Sequence, residues 1–358
     1  MDFRDLKYKL EENKGKLLVL VGVVAIALTT VGLFKMFDVD LGIGKNKEDV
    51  VSEKYVLAKG IFGANNSGEI NYYDIKSGKI LDNETLEGNS FIYSNGDTLK
   101  NLNAYDSKNS ILYNIQAKGK KISVSKGKEL NLKNKSIINF KATDKYFIGL
   151  LNNQKTLVCK DLSSNKETKI DLKSSAQIDS YAIVGDYMVA TSDKYIYRTD
   201  LIKNKNQKIE IGESSLSINI IGEKVYIHNA FGYERGKSII LDINPKDLYI
   251  NNMQQFKDSN VNFLRTSSES DKMYYSEEFL TSKEGKVNQV FKYMGEDMKN
   301  PVSTMKYVGE FSVTNLNAYG NLGHIYYQEK DKLKVFNLKS HEEEYSFKLI
   351  DDFYMPIY

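Results

Sequence analysis

The sequence predicts an all-β domain of seven repeats behind a single N-terminal transmembrane helix. Three observations predict it. An uncharged run of eighteen residues, Leu17–Phe34, stands near the start of the chain. Short runs of alternating apolar and polar residues recur from Ser52 to the end, with no convincing amphipathic helix among them. One strand–turn–strand cassette returns seven times, at spacings of 39 to 51 residues.

The apolar run carries only Thr29 and Thr30 as polar groups, and Lys16 and Lys35 close it. Eighteen uncharged apolar residues are long enough to be a membrane-span candidate. We place a cytoplasmic tail at 1–16, the transmembrane helix at 17–36, a linker at 37–51 and the β domain at 52–358. The tail holds Arg4, Lys7, Lys9, Lys14 and Lys16, whereas the far flank has Lys35 and then no base until Lys45. Basic flanks stay in the cytoplasm, so the large C-terminal part is expected outside. The alternative is a cleaved signal peptide, because Ala25-Ile26-Ala27 has the small-x-small form of a cleavage site. The run stays apolar past it, through Leu28, Val31 and Leu33, which favours an uncleaved anchor. Phe3, Leu6 and Leu10 lie at helical spacing in the tail.

Composition narrows the partners. Lys and Arg total 50 against 47 for Asp and Glu, so no strong field draws nucleic acid. Arginine, the fork for phosphate and guanine edges, occurs only at positions 4, 198, 235 and 265. We therefore expect no nucleic-acid partner. One cysteine, Cys159, excludes an intrachain disulfide, and its run Thr156-Leu157-Val158-Cys159 reads as a buried strand. The 25 tyrosines suit strands. Abundant Lys, Asn and Ile with little Arg and Pro resembles the usage of a low-GC Gram-positive bacterium.

The repeats set the fold. Asp186–Ile211 and Asp144–Leu172 both run strand, turn, strand, an Asp, a Lys/Asn/Ser-rich turn and a further strand. Aligning all copies on the turn residue gives anchors at Asp74, Asn114, Asp161, Asp200, Asp242, Tyr293 and Asn337, spaced 40, 47, 39, 42, 51 and 44 residues. An Asp or Asn there ends one strand and bonds the backbone of the turn with its side chain. A period of 40–50 residues in all-β units marks the blades of a β-propeller, and seven copies predict seven blades. A meander sandwich is the alternative. We expect the ring to close with Tyr55-Val56-Leu57 completing the seventh blade.

The cassette resembles the degenerate repeats of bacterial extracytoplasmic β-propellers, quinoprotein-like and WD40-like, over roughly Ser52–Tyr358. The docking tryptophans of that family are absent, since the chain has no Trp. The resemblance thus implies a shape and speaks against a quinone, and no cofactor is expected.

Chemistry-bearing motifs are few. No G-x-S-x-G elbow, phosphate loop or zinc spacing occurs, and Gly42-Ile43-Gly44 lacks the third glycine of a dinucleotide loop. His341-Glu342-Glu343-Glu344 lacks the second His of a zinc-protease helix. His228 and His324 read as satisfied strand residues. Asp351 and Asp352 are neighbours whose side chains point to opposite faces of a strand. The stretch Asn229–Lys237 (NAFGYERGK) interrupts its repeat and joins aromatics to an arginine, the residues enriched at binding hot spots. Phe231, Tyr233, Glu234 and Arg235 are therefore the candidate binding residues. Glu277–Lys286 is a second, weaker insertion.

The expectation is a non-enzymatic, membrane-anchored extracellular propeller. It would bind protein or cell-envelope partners and contact the lipid bilayer through Leu17–Phe34. The alternative is a propeller enzyme acting on carbohydrate at the central channel, which would need acids converging there.

Overall fold

The computed structural model describes residues 57–357 apart from 89, 96–98, 213–215, 230–237, 257–258, 264–272, 280–286, 295–297, 299–301, 310–318, 321–323, 330, 338–339 and 341. Its strands form seven four-stranded antiparallel sheets, the seven blades of a β-propeller. From inner to outer strand, blade 2 is β4 (Phe91–Asn95), β5 (Asn101–Asp106), β6 (Ile111–Lys118) and β7 (Lys121–Glu129). Blade 3 is β8 (Ile137–Ala142), β9 (Tyr146–Leu151), β10 (Thr156–Asp161) and β11 (Glu167–Asp171). Blade 4 is β12 (Ser180–Val184), β13 (Tyr187–Ser192), β14 (Tyr195–Asp200) and β15 (Lys205–Glu210). Blade 5 is β16 (Leu216–Ile221), β17 (Lys224–Asn229), β18 (Ser238–Ile243) and β19 (Ile250–Phe256). Blade 6 is β20 (Ser259–Phe263), β21 (Met273–Phe279), β22 (Val287–Met294) and β23 (Val302–Gly309). Blade 7 is β24 (Tyr319–Gly320), β25 (His324–Glu329), β26 (Lys332–Asn337) and β27 (Glu342–Lys348). Blade 1 joins β1 (Gly60–Ala64), β2 (Glu69–Tyr73) and β3 (Ile80–Thr85) to the last strand, β28 (Phe353–Ile357), which lies innermost.

Each blade has two faces, and successive side chains of a strand point to opposite ones. In blade 3, Tyr146, Ile148 and Leu150 face blade 4 and meet Tyr181, Met188 and Ala190. The intervening Phe147 faces the other way, onto Tyr105 and Phe140. Second and third strands are therefore buried on both faces, as in β9 and β14. Burying one such side chain contributes ~1.5–3 kcal/mol, and no blade can bury both faces alone. Outer strands reverse the pattern and carry exposed charge, as in β15 (KNQKIE) and β27 (EEEYSFK).

Closure corrects one expectation. The seventh blade is complete with its own four strands, and the C-terminal strand closes the first blade instead. Residues Ile61↔Pro356, Phe62↔Met355 and Gly63↔Tyr354 pair across the seam. Tyr55 and Val56 lie outside the described residues. Asp351 anchors the entry to β28. Its buried carboxylate accepts hydrogen bonds from the Tyr73 hydroxyl and from Asn71 Nδ2 (3.0 Å), both on β2. Burial raises its pKa, and the bonds from Tyr73 and Asn71 only partly offset that. Gly63 makes room for it, because a Cβ at that position would meet Asp351 Oδ2 at 2.2 Å.

The turn anchors hold in four blades. Asp74, Asp161, Asp200 and Asn337 each end a third strand, and the side-chain oxygen accepts N–H bonds from the turn that follows. Two anchors are displaced, by two residues in blade 5 and by four in blade 2. In blade 5 the turn is capped by Asn244, whose oxygen accepts Lys246 N–H (2.9 Å), while Asp242 is buried within β18. In blade 2, Asn114 lies mid-strand opposite Asn103, and the turn falls at Gly119-Lys120. A shift of two or four keeps the same face of a strand, so alternation alone could not expose the slip. Tyr293 is likewise inside β22, paired with Tyr274.

No helix among the described residues is long and apolar enough to cross a membrane. The run Leu17–Phe34, the tail and the linker lie outside them.

Candidate functional site

The interface between blades 2 and 3 splits into a dry half and an open half. In the dry half Tyr105 and Leu112 of blade 2 pack on Phe140, Phe147 and Val158 of blade 3. Further along the same face of blade 2 the side chains turn polar: Asn101 and Asn103 on β5, Asn114 and Gln116 on β6, Ser125 on β7. They wall a cleft of about 910 Å³, inside the size range of small-ligand sites. Its mouth is formed by the turns between first and second strands of blades 3, 4 and 5, with Asp144, Lys145, Asp186 and Glu223.

The amides are placed by the ladder. Asn103 sits opposite Asn114, and Asn101 opposite Gln116, so four carboxamides form a compact block. The buried Asn103 Oδ1 accepts from Asn101 Nδ2 (3.3 Å) and Asn114 Nδ2 (3.2 Å). Those bonds leave the Asn101 and Asn114 oxygens and the Asn103 amide nitrogen for other partners. A bulge at Leu112 draws β7 inward: Gly127 carries no Cβ, and one there would meet the Leu112 carbonyl oxygen at 2.6 Å. The cleft wall is thus tight where the backbone crosses and neutral where the amides stand.

Charge at the mouth balances. Lys100, Lys126 and Lys145 face Asp144, Asp186 and Glu223. Lys145 ion-pairs with Asp186, which also accepts the Tyr146 hydroxyl (2.9 Å). These bonds, Lys145 first, hold the Asp186 carboxyl below its usual range. Lys126 pairs with Glu87 (3.3 Å). Among the described residues no arginine lines the cleft, and its lysines are partly occupied by acids, so the lining favours a neutral ligand rich in hydroxyl or amide groups over a phosphate.

The residues singled out from sequence fall elsewhere. Phe231, Tyr233, Glu234 and Arg235 lie outside the described residues. Their described flanks, Asn229 and Ser238, end β17 and begin β18, at the opposite end of blade 5 from Gly222 and Glu223. Of Glu277–Lys286, the part from 280 also lies outside. Cys159 is buried in β10, and burial pushes its thiol up to about 12. His228 is buried against Phe263, with ring centroids 3.9 Å apart. Its Nε2 accepts the Phe263 N–H (3.4 Å), and burial pushes the imidazole down to about 3, so it is neutral. His324 Nε2 lies 3.0 Å from Glu344 Oε2. His341 is outside the described residues. Among the described residues no cluster of three or more His, Cys, Asp or Glu has metal-binding geometry.

The amide block was readable in principle. In NLNAYD and LYNIQAK, Asn alternates with apolar residues inside strands whose counterparts in other blades are apolar on both faces. A polar alternation in such a strand marks a face its neighbour leaves open.

No protein-family model matches the chain, and no curated protein matches it by sequence. Solved structures do. A functionally unknown protein from Desulfotomaculum acetoxidans DSM 771 aligns at TM-score 0.52 and 13% identity, over 80% of this chain and 94% of that one. A putative 6-phosphogluconolactonase from Bacteroides uniformis ATCC 8492 aligns at 0.51 and 12%, over 83% and 97%. Dihydro-heme d1 dehydrogenase NirN in complex with DHE aligns at 0.46 and 11%, over 83% of this chain and 66% of its own. The first two likenesses are of fold alone, and they agree with the seven sheets: the chain is a seven-bladed β-propeller.

Proposed function

We propose that the protein is a binding module held at the cell membrane by Leu17–Phe34, with its propeller outside the cell. Its cleft between blades 2 and 3 takes a neutral glycan of the envelope, held by Asn101, Asn103, Asn114 and Gln116. The observation that supports this reading is the amide block beside a mouth of balanced charge. Carboxamides offer donors and acceptors together, which matches vicinal hydroxyls and N-acetyl groups. The reading contains no catalytic step.

Calorimetric titration of the full chain in detergent with N-acetylated oligosaccharides tests it. Binding is expected, and Asn103→Leu should weaken it roughly tenfold, as losing one buried hydrogen bond of ~1–1.5 kcal/mol does. Preference for sugar phosphates, with turnover of the added compound, would instead favour the enzyme reading. Topology is tested separately. A cysteine at Ser67 should react with an impermeant thiol reagent on intact cells, and one at Asp5 should not. For a protein partner, sequence still points to Tyr233 and Arg235. Replacing both should weaken its capture while glycan binding stays unchanged.

A further inference from the structure

Six of the seven outer strands carry charge. β3 has Asp82 and Glu84, β7 has four charged residues, β11 and β15 three each, β23 has Lys306, and β27 has Glu342, Glu343, Glu344 and Lys348. Charge on an edge strand blocks its pairing with another chain. β19, the outer strand of blade 5, carries none: Ile-Asn-Asn-Met-Gln-Gln-Phe over residues 250–256. No described strand pairs its outer side. Met253 is 54% exposed and Tyr249, just before the strand, 67%.

The strand is also a chemical palindrome about Met253. Reading outward in either direction gives amide, amide, apolar. A two-fold interface requires such self-complementarity, since each residue i meets residue j and j meets i. In an antiparallel pair centred on Met253, Met253 faces its own copy. Gln255 of one copy comes opposite the bulge at Asn251 of the other, so exposed amides meet amides and no charge is buried. The backbone is oriented for it. The Met253 N–H donates to the Asn252 side-chain oxygen (2.9 Å) rather than into the blade, which turns it to the free edge. A second strand would replace that local acceptor with a carbonyl.

The geometry points to β19 as a homodimer interface, in which two copies of this chain join edge to edge about a two-fold axis through Met253. This inference is independent of the glycan cleft, to whose lining β19 contributes no residue. A seven-residue edge buries less than the ~1,200 Å² of a stable interface, so the pairing is transient and trapping is the suitable measurement.

The test is Met253→Cys in the full chain in detergent, oxidised with copper phenanthroline. Hydrogen-bonded antiparallel partners sit ~5.5 Å apart between Cα atoms, within disulfide reach, and the buried Cys159 does not compete. A covalent dimer is expected from Met253→Cys, and little from Lys208→Cys on the outer strand of blade 4. Equal cross-linking of the two overturns the inference, as does none from Met253→Cys. If Met253→Cys fails to melt cooperatively, light scattering decides. The unmodified chain should gain mass with concentration and Met253→Lys should not. A chain that stays monomeric, or a lysine variant that dimerises equally, overturns it.

Discussion

Blade 3 and blade 2 present equivalent residues to their next neighbours, with opposite results. The ladders align Ile148↔Cys159 in blade 3 with Asn103↔Asn114 in blade 2, and Leu150↔Leu157 with Tyr105↔Leu112. Where the pair is Ile148 and Cys159, blade 4 packs down on it and the interface is dry. Where it is two asparagines, the neighbouring blade meets only the apolar half, and the rest stays open as the cleft. The backbone architecture is the same. The polarity of a few side chains on one face of the second and third strands therefore separates this open interface from the dry one.

Exchanging those residues breaks the comparison most directly. Ile148→Asn would bury an unpaired amide and remove an apolar group, at a cost of about 4 kcal/mol. Urea unfolding measures it, and a cost below ~1 kcal/mol would show that this interface too can open.

The comparison also treats both interfaces as parts of one closed ring. Asp351→Ala tests that from blade 1, outside both interfaces. It leaves the Tyr73 hydroxyl and Asn71 amide buried without their acceptor, which costs ~2–3 kcal/mol, and the whole ring should unfold in one transition. A split transition would mean blades 2 to 4 hold without closure. The same carboxyl sets a pH dependence. Its native pKa is raised, so the native state keeps a proton that the unfolded chain has lost. Its stabilising contribution is full below the unfolded pKa near 3.8 and is lost as pH rises through the raised native value. Asp351→Asn should remove that slope in a pH series of urea midpoints.

The reverse exchange is gentler. Asn103→Leu with Asn114→Val removes both ends of a hydrogen bond together, so stability should change by no more than ~1 kcal/mol while oligosaccharide binding is lost. The smallest effect is expected at the mouth. Lys145→Ala breaks an exposed, solvent-screened ion pair, so the midpoint in urea should barely move, and the small loss should shrink further in high salt.

Much of the ring was legible, because the Asx-capped turns of Asp74, Asp161, Asp200 and Asn337 repeat and the strands between them alternate. The seam was not. A cyclic permutation of the same strands leaves every local pattern unchanged, so nothing near Leu57 or Phe353 says which terminus supplies the last strand. The cleft was hidden for a related reason. Asn114 is a turn anchor four residues out of place, and the observed register puts it beside Asn103. The Phe231–Arg235 segment drew notice as an insertion, a signal of length, whereas the amide block adds no residues and changes only their polarity.

The seam at β1 and β28 also sets a timetable for biosynthesis. Gly60 and Ile357 are 297 residues apart in the chain (357 − 60). At ~5–20 residues per second, roughly 15–60 seconds separate the emergence of the two strands. For that interval the first blade waits with its innermost edge unfilled while six later sheets are made. The nascent chain is then most open to proteases and to wrong pairing, and a stop codon in the final handful of residues would discard an almost complete product.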